Sequence, residues 1–325
     1  MTLARRSFLR FAAGVAVFPT VSRLAMAQTY PTRPVRVIVS FAAGGPTDIL
    51  ARLVGQHLSQ LLGQQFVIEN KPGAGGNIGA ESVVRAEPDG HTLLMIDATP
   101  TISATLYDKI NFNFVRDIAP IAGVARVPQV ILVHPSVPAK TLPELITYAK
   151  ANPGKINMAS AGIGTPPHMA GELFKLEAGI NLVHVPYRGT GAAIADLLSG
   201  QVQMSFFGPV ASVGYIKSGK LLALAVTSPK RLDVLPEVPS VSEFVPGFEF
   251  FSWFGIGAPR NTPKEIIELL NREITASLGD PKIKAQLLEL GATTLALSAA
   301  EFGQLIKDET EKWARVIRVA NIRAE

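Results

Sequence analysis

The stretch SFAAGGPTDILAR, residues 40–52, carries the clearest chemical signal in this chain. A β-branched run, Val35–Val39, precedes it and an apolar-periodic run follows; two glycines and a proline stand between them. Pro46 suits the first turn of a helix, where its missing N–H is no loss. The N–H groups of Gly45, Thr47 and Asp48 then face the loop mouth, and helix N-termini of this kind hold anions. Asp48 has two readings: it complements the helix dipole, or it holds water in the site. Three further loops repeat the strand–glycine–helix pattern: NKPGAGGNIGAE (70–81), SAGIGTPPHMAGELF (160–174) and YRGTGAAIADLL (187–198). Asn77 and Thr165 stand where helix N-caps are expected, with Pro166 at the following first turn. Ligands of α/β sheets bind at the C-terminal ends of strands, where such loops gather. None of the four fits G-x-x-x-x-G-K-[ST] or G-x-G-x-x-G. Lys71 and Arg188 are the only cations in the second, third and fourth loops. Phosphate asks for more positive charge than that, so a carboxylate held by N–H and hydroxyl groups fits better.

Catalytic patterns are missing. G-x-S-x-G and H-E-x-x-H do not occur, and Ser160 follows Met158-Ala159 rather than forming a nucleophile elbow. His168 and Glu172 have the i, i+4 spacing of metal ligands, but no third ligand accompanies them. His168 reads instead as a hydrogen-bonding group at a cleft or as a structural histidine. No pair of acids has general acid/base spacing. No catalytic residue, metal or cofactor is therefore expected. The chain contains no cysteine, which excludes disulfides, thiolate sites, a cysteine nucleophile and a lipid-modified N-terminal cysteine.

Around these loops stand 325 residues, 47% of them apolar and 18% charged, enough for two domains with sizeable cores and too apolar for disorder. The formal net charge of +5 is concentrated at the start. Residues 1–27 hold Arg5, Arg6, Arg10 and Arg23 and no acid, and without those four charges +1 remains. A nearly neutral body offers no footprint for nucleic acid. The same residues read as an export signal: a basic ARRSFLRF, an apolar FAAGVAVFPTV and a small-x-small AMA, with cleavage after Ala27 and Gln28 as the new N-terminus. The arginine pair resembles a twin-arginine signal; an ordinary secretory signal is the alternative. No later run reaches the ~18 uninterrupted apolar residues of a spanning helix. A soluble, monomeric periplasmic protein is expected.

The elements that must position the loops alternate. Strand-like runs at 35–40, 66–70, 91–96, 128–134, 156–160 and 182–187 are each followed by helix-like runs, which predicts parallel sheets flanked by helices. From Pro263 on, the chain reads as successive helices with 3.6-period apolar faces. Such a tail needs a sheet to pack on, and the simplest solution returns it to the first domain. The chain then crosses twice, near GVARVP and near PGFEFFSWFGIG. This divides it into one lobe of 28–124 plus 251–325 and another of 125–250, with a hinged cleft between them.

FAAGGPTDILAR, NKPGAGGNIGAE, SAGIGTPPHMAGELF, HVPYRGTGAAIADLLSGQV, LLALAVTSPKRLDVLPEVPSVSE and FGIGAPRNTPKEIIELLN together resemble the substrate-binding proteins of tripartite tricarboxylate transporters, the Bug-type receptors. The resemblance runs from Tyr30 on. It implies an α/β, two-lobed periplasmic binding protein fold of type II-like organisation, with two mixed or parallel sheets flanked by helices. It also implies binding of a small carboxylate and delivery to a membrane permease. Carried over by motif, the ligand contacts are Ala43, Gly44, Gly45, Thr47 and Asp48 on one side and Ser160, Gly164, Thr165 and His168 on the other, with Gly75 and Thr99 from intervening loops. One position departs from the family pattern: Phe207 stands where relatives carry an aspartate that receives an ammonium group. A ring facing the cleft there implies a ligand without an amine and with an apolar or aromatic far end; a ring in the core implies nothing about the ligand. A periplasmic sensing subunit for a membrane kinase and an exported hydrolase or lyase are the competing functions.

Overall fold

The structure is a computed structural model that describes residues 30–107 and 110–324; the expected export signal lies outside them. The first elements in the chain are β1 (Val35–Val39), α1 (Pro46–Leu62), β2 (Phe66–Asn70), α2 (Asn77–Val84), β3 (Thr92–Asp97), α3 (Thr99–Leu106), α4 (Phe114–Asp117) and β4 (Ile118–Pro128). Then come β5 (Val130–Val133), α5 (Leu142–Ala151), β6 (Asn157–Ser160), α6 (Pro166–Ala178), β7 (Val183–Pro186), α7 (Thr190–Leu198), β8 (Met204–Phe207), α8 (Pro209–Lys217) and β9 (Leu222–Val226). The chain closes with β10 (Phe251–Pro259), α9 (Lys264–Gly279), α10 (Pro281–Glu289), β11 (Thr293–Thr294) and α11 (Ala299–Val319).

Local chemistry sets the helix limits. α1 starts with Pro46 at its first position and stops at Gly63, whose φ of 71° is left-handed. α6 ends in the same way at Gly179. α11 opens on a capping box, in which the Ser298 hydroxyl accepts the Glu301 N–H and the Glu301 carboxylate accepts the Ser298 N–H. Among the described residues, no helix is long and apolar enough to cross a membrane.

The strands form a six-stranded sheet in the order β11-β4-β10-β3-β1-β2 and a five-stranded sheet in the order β7-β6-β8-β5-β9. β1 runs parallel to β2 and β3, and β6 parallel to β7 and β8. β10 is antiparallel to β3 and β4, and β5 is antiparallel to β8 and β9. Both sheets are therefore mixed, where strand–helix alternation alone predicts parallel ones. The antiparallel members are the strands by which the chain changes sheets. The two segments expected to be crossings are strands themselves, paired from Phe251–Pro128 to Pro259–Ile118. Only Gln129 separates β4 in one sheet from β5 in the other.

Each sheet is covered on both faces. α1, α9 and α10 pack with Val37, Val39, Leu93 and Met95 on one face of the first sheet. The other face carries Ile38, Leu94, Ile96 and Trp253 against Phe302 and Ile306 of α11. Farther along α11, Trp313, Val316 and Ile317 join the core of the second sheet with Phe174, Phe206 and Phe250. Ile102 and Leu106 of α3 enter that same core. α3 and α11 thus link the two bodies.

Candidate functional site

The C-terminal ends of β1, β2 and β3 carry the loops 40–45, 71–76 and 98. The first is fixed from within by Asp48. Asp48 Oδ2 accepts the Gly44 N–H at 2.9 Å and Arg52 Nε at 3.0 Å. Its Oδ1 accepts Arg52 Nη2 at 2.9 Å and Asn70 Nδ2 at 2.9 Å. Asn70 also donates to the Phe41 carbonyl at 3.0 Å, which ties the end of β2 to the loop. Burial opposes the charge on Asp48, but Arg52, the Gly44 N–H and Asn70 outweigh it and hold the carboxyl below its ordinary value. Four donors occupy this carboxylate, so it orders the loop rather than holding water for a ligand. Gly44 has φ +83°, a left-handed conformation that favours glycine. Ala43 and Gly44 are exposed, Gly45 is half-buried, and Thr47 is buried at the helix start. The first-turn N–H groups of Thr47 and Asp48 have no acceptor within the helix.

In the second sheet, β6 ends at Ser160, whose Oγ accepts the Gly162 N–H at 3.1 Å and lies 2.6 Å from His184 Nε2. The Gly164 N–H donates to His168 Nδ1 at 3.1 Å. His168 and His184 stack with ring centroids 3.8 Å apart and planes 15° from parallel. Burial, then the neighbouring His184 and Lys175, push the His168 pKa down to about 3; burial and Lys175 push that of His184 down to about 4. The pair is neutral near pH 7, so His168 acts as an acceptor that shapes the loop. Glu172, 3.7 Å from His168 Nε2, is occupied by Lys175 Nζ at 2.8 Å. Among the described residues, no group of three or more His, Cys, Asp or Glu could hold a metal. The loop after β7 is stitched to this one: the Tyr187 N–H donates to the Ser160 carbonyl and the Gly189 N–H to that of Ala161.

Three expectations are corrected. Thr165 occupies the N-cap position of α6, but its hydroxyl caps nothing; it donates to the Gly162 carbonyl at 2.7 Å. Pro167 removes one of the two N–H groups that an N-cap side chain can accept, and the hydroxyl tightens the glycine loop instead. Asn77 is the first helical residue, with Gly76 as N-cap, and its amide donates to the Ala74 carbonyl at 2.8 Å. Phe207 is 2% exposed and packs with Val130, Ala159, Ala193 and Leu197. Its ring is in the core, so the case for an aromatic ligand is withdrawn.

The remaining expected residues converge on α3. A β-carbon on Gly164 would stand 2.6 Å from Leu106 Cδ2, so the loop of the second sheet lies directly on α3. A β-carbon on Gly75 would stand 3.0 Å from the Tyr107 hydroxyl, just beyond the same helix. Thr99 is the first residue of α3 and is buried. His184 and Asn70 were missed by reading the sequence. Their signals were a histidine inside a short strand and an asparagine at a strand end; the partners, Ser160 and Asp48, are 24 and 22 residues away. A separate open groove of about 480 Å³, bordered by Arg52, Gln56, Ser59, Gln65, Phe66 and Ile68, contains none of the expected residues.

The family model for the tripartite tricarboxylate transporter family receptor matches residues 50–322. The chain belongs to this receptor family. Solved structures agree. The periplasmic binding protein BugD is 37% identical with a TM-score of 0.80, covering 91% of this chain and 100% of that one. Rpa4515 of R. palustris, solved with adipate, is 36% identical with a TM-score of 0.82, covering 90% of this chain and 99% of its own. MatC of Rhodopseudomonas palustris, solved with bound malate, is 33% identical with a TM-score of 0.79, covering 89% and 100%. Receptors of this family are periplasmic solute-binding proteins and not enzymes. The two-lobed fold described above is theirs.

Proposed function

We propose that this receptor captures a small aliphatic carboxylate without an ammonium group, between the loops 43–48 and 160–168, and presents it to the membrane permease of a tripartite tricarboxylate-type transporter. The observation that carries the proposal is the pair of glycine loops ordered from within, by Asp48 in one sheet and by Ser160, Thr165 and His168 in the other. Those side chains take the Gly44, Gly162 and Gly164 N–H groups, and the first-turn N–H groups of Thr47 and Asp48 are left to meet an anion. Adipate and malate in the two similar structures are ligands of this class. Gly75 and Thr99 would border the ligand from the side of α3. Export with cleavage after Ala27 belongs to the proposal. So does the division into lobes at 124/125 and 250/251, with β4 carrying the first sheet on to Pro128.

A thermal-shift panel of adipate, malate, citrate, benzoate and glutamate tests the assignment. A ligand at ~100 times its dissociation constant adds about 2.7 kcal/mol to folded stability. The proposal expects adipate or malate to raise the midpoint and glutamate to lag behind. A panel led by glutamate, or one with no response to any carboxylate, contradicts it.

A further inference from the structure

Asp97 closes β3, an interior strand of the first sheet, at the C-terminal strand ends from which the loops 40–45 and 71–76 also spring, and among the described residues its carboxyl group has no role in the fold's ion pairs. Oδ1 accepts the Thr99 N–H at 3.0 Å; the Thr99 hydroxyl and the residue's own N–H favour the carboxylate as well, but no cation pairs with it among the described residues. The residue keeps 7% of its surface accessible. Charged or titratable groups on the elements packed against β3 are engaged elsewhere or remote from it in the chain's pairings. Arg36 of β1 binds Glu69, Asp48 of α1 binds Arg52, and Glu81 of α2 binds Arg85. His57 lies more than two turns along α1, and β10 carries no charged residue. A buried acid without a cation is uncommon in a structural role, because its charge is costly in a low-dielectric setting unless paired.

We propose that Asp97 is a specificity-determining residue of the carboxylate site: it takes up one proton from solvent as a carboxylate ligand enters, and the neutral acid then donates a hydrogen bond to that ligand. The inference rests on the carboxylate-receptor assignment and deepens it. Two carboxylates that share a poorly solvated site cannot both ionise readily, so the second one to arrive drives protonation of the first. Burial has already raised the Asp97 pKa to about 6 without any ligand, outweighing the Thr99 N–H, the Thr99 hydroxyl and the residue's own N–H, which oppose the rise. A ligand carboxylate raises it further. An ammonium ligand acts in the opposite sense and would expel the proton. The sign of proton exchange therefore reports the ligand class.

Titration calorimetry with adipate and with malate, from pH 6 to 8 in phosphate and in Tris, measures that exchange. The wild type takes up close to one proton per ligand at pH 7.5, and its dissociation constant rises about tenfold for each pH unit above 6. Asp97→Asn takes up none and binds with a pH-independent constant. Proton release, no exchange in the wild type, or undiminished uptake in Asp97→Asn overturns the inference while leaving the receptor assignment intact. Failure of every carboxylate to bind overturns both. Should Asp97→Asn not fold, carbon-13 NMR of the wild-type carboxyl decides: titration near pH 6, moving upward with adipate, is expected, and an ordinary carboxylate titration overturns the proposal.

Discussion

At the scale of single residues, the site is held by polar groups that serve the loops rather than a reaction. Asp48→Ala removes a carboxylate that accepts four hydrogen bonds; the exposed Arg52 and Gly44 N–H can turn to water and Asn70 keeps the Phe41 carbonyl, so urea unfolding should show a loss of about 1.5–3 kcal/mol, the worth of hydrogen bonding to a charged group. Thr165→Val removes the bond to the Gly162 carbonyl and should cost ~0.5–1.5 kcal/mol, with a larger proportional loss of carboxylate affinity because the loop loosens. The stacked histidines predict a pH dependence whose sign is fixed. His168 and His184 stay neutral in the fold down to about 3 and about 4, whereas the unfolded chain protonates them near 6.5. The unfolded state binds more protons across that window, so stability is full above pH 6.5 and is lost as pH falls toward 4. The slope is on the order of 1.4 kcal/mol per pH unit per histidine. Urea midpoints from pH 7 to 4 should show this fall, and His184→Asn should flatten it. Asp97 acts with the opposite sign between 3.8 and about 6; one such group moderates the fall contributed by two histidines.

At the scale of elements, glycine positions distinguish close packing from mere tolerance. Gly255 lies in β10, where a β-carbon would meet Phe302 Cζ at 2.1 Å and the Ala122 carbonyl at 2.6 Å. Gly255→Ala must lift α11 off the first sheet or shift β4, and overpacking of this kind costs roughly 1–3 kcal/mol or more. Gly214 lies inside α8 with nothing within 4 Å of a β-carbon, so Gly214→Ala should instead stabilise by about 0.4–1 kcal/mol. Thermal unfolding of the two variants should move in opposite directions. The same elements show what the sequence disclosed. Phe66–Asn70 was read as a strand with its observed ends, and the glycine loops were found because their chemistry is local. β10 was read as a crossing because FSWFGIGAP is buried at nearly every position, and a strand covered on both faces has no alternation to reveal it. The face taken by Phe207 stayed open for the same reason: MSFF is buried throughout, so neither the phase of the strand nor the side each ring takes could be read. The His184–Ser160 contact depends on β7 lying beside β6, a fact of sheet order rather than of spacing.

At the scale of the whole molecule, the two sheets are joined by a compact set of polar contacts. Gln129 donates through Nε2 to Ser252 Oγ at 2.9 Å, while the Thr227 hydroxyl receives the Gln129 N–H at 2.7 Å and donates to the Phe250 carbonyl at 2.8 Å. Glu309 Oε2 accepts both indoles of the chain, Trp313 Nε1 at 2.9 Å and Trp253 Nε1 at 3.3 Å. Trp253 packs in the first core and Trp313 in the second, so one carboxylate links them. Glu309→Leu orphans two indole N–H groups and should lower stability by ~1–3 kcal/mol for each. Because the chain has two tryptophans, intrinsic fluorescence reports on this link directly, and its spectrum should shift in the variant. The carboxylate is proposed to lie where the loops of the two sheets meet, and a crystal structure of the complex with adipate or malate decides it. The expected result is a ligand carboxylate between Gly44–Thr47 and Gly162–Thr165, beside Asp97. A ligand found only in the outer groove by Gln56 and Gln65, with these loops unoccupied, would contradict it.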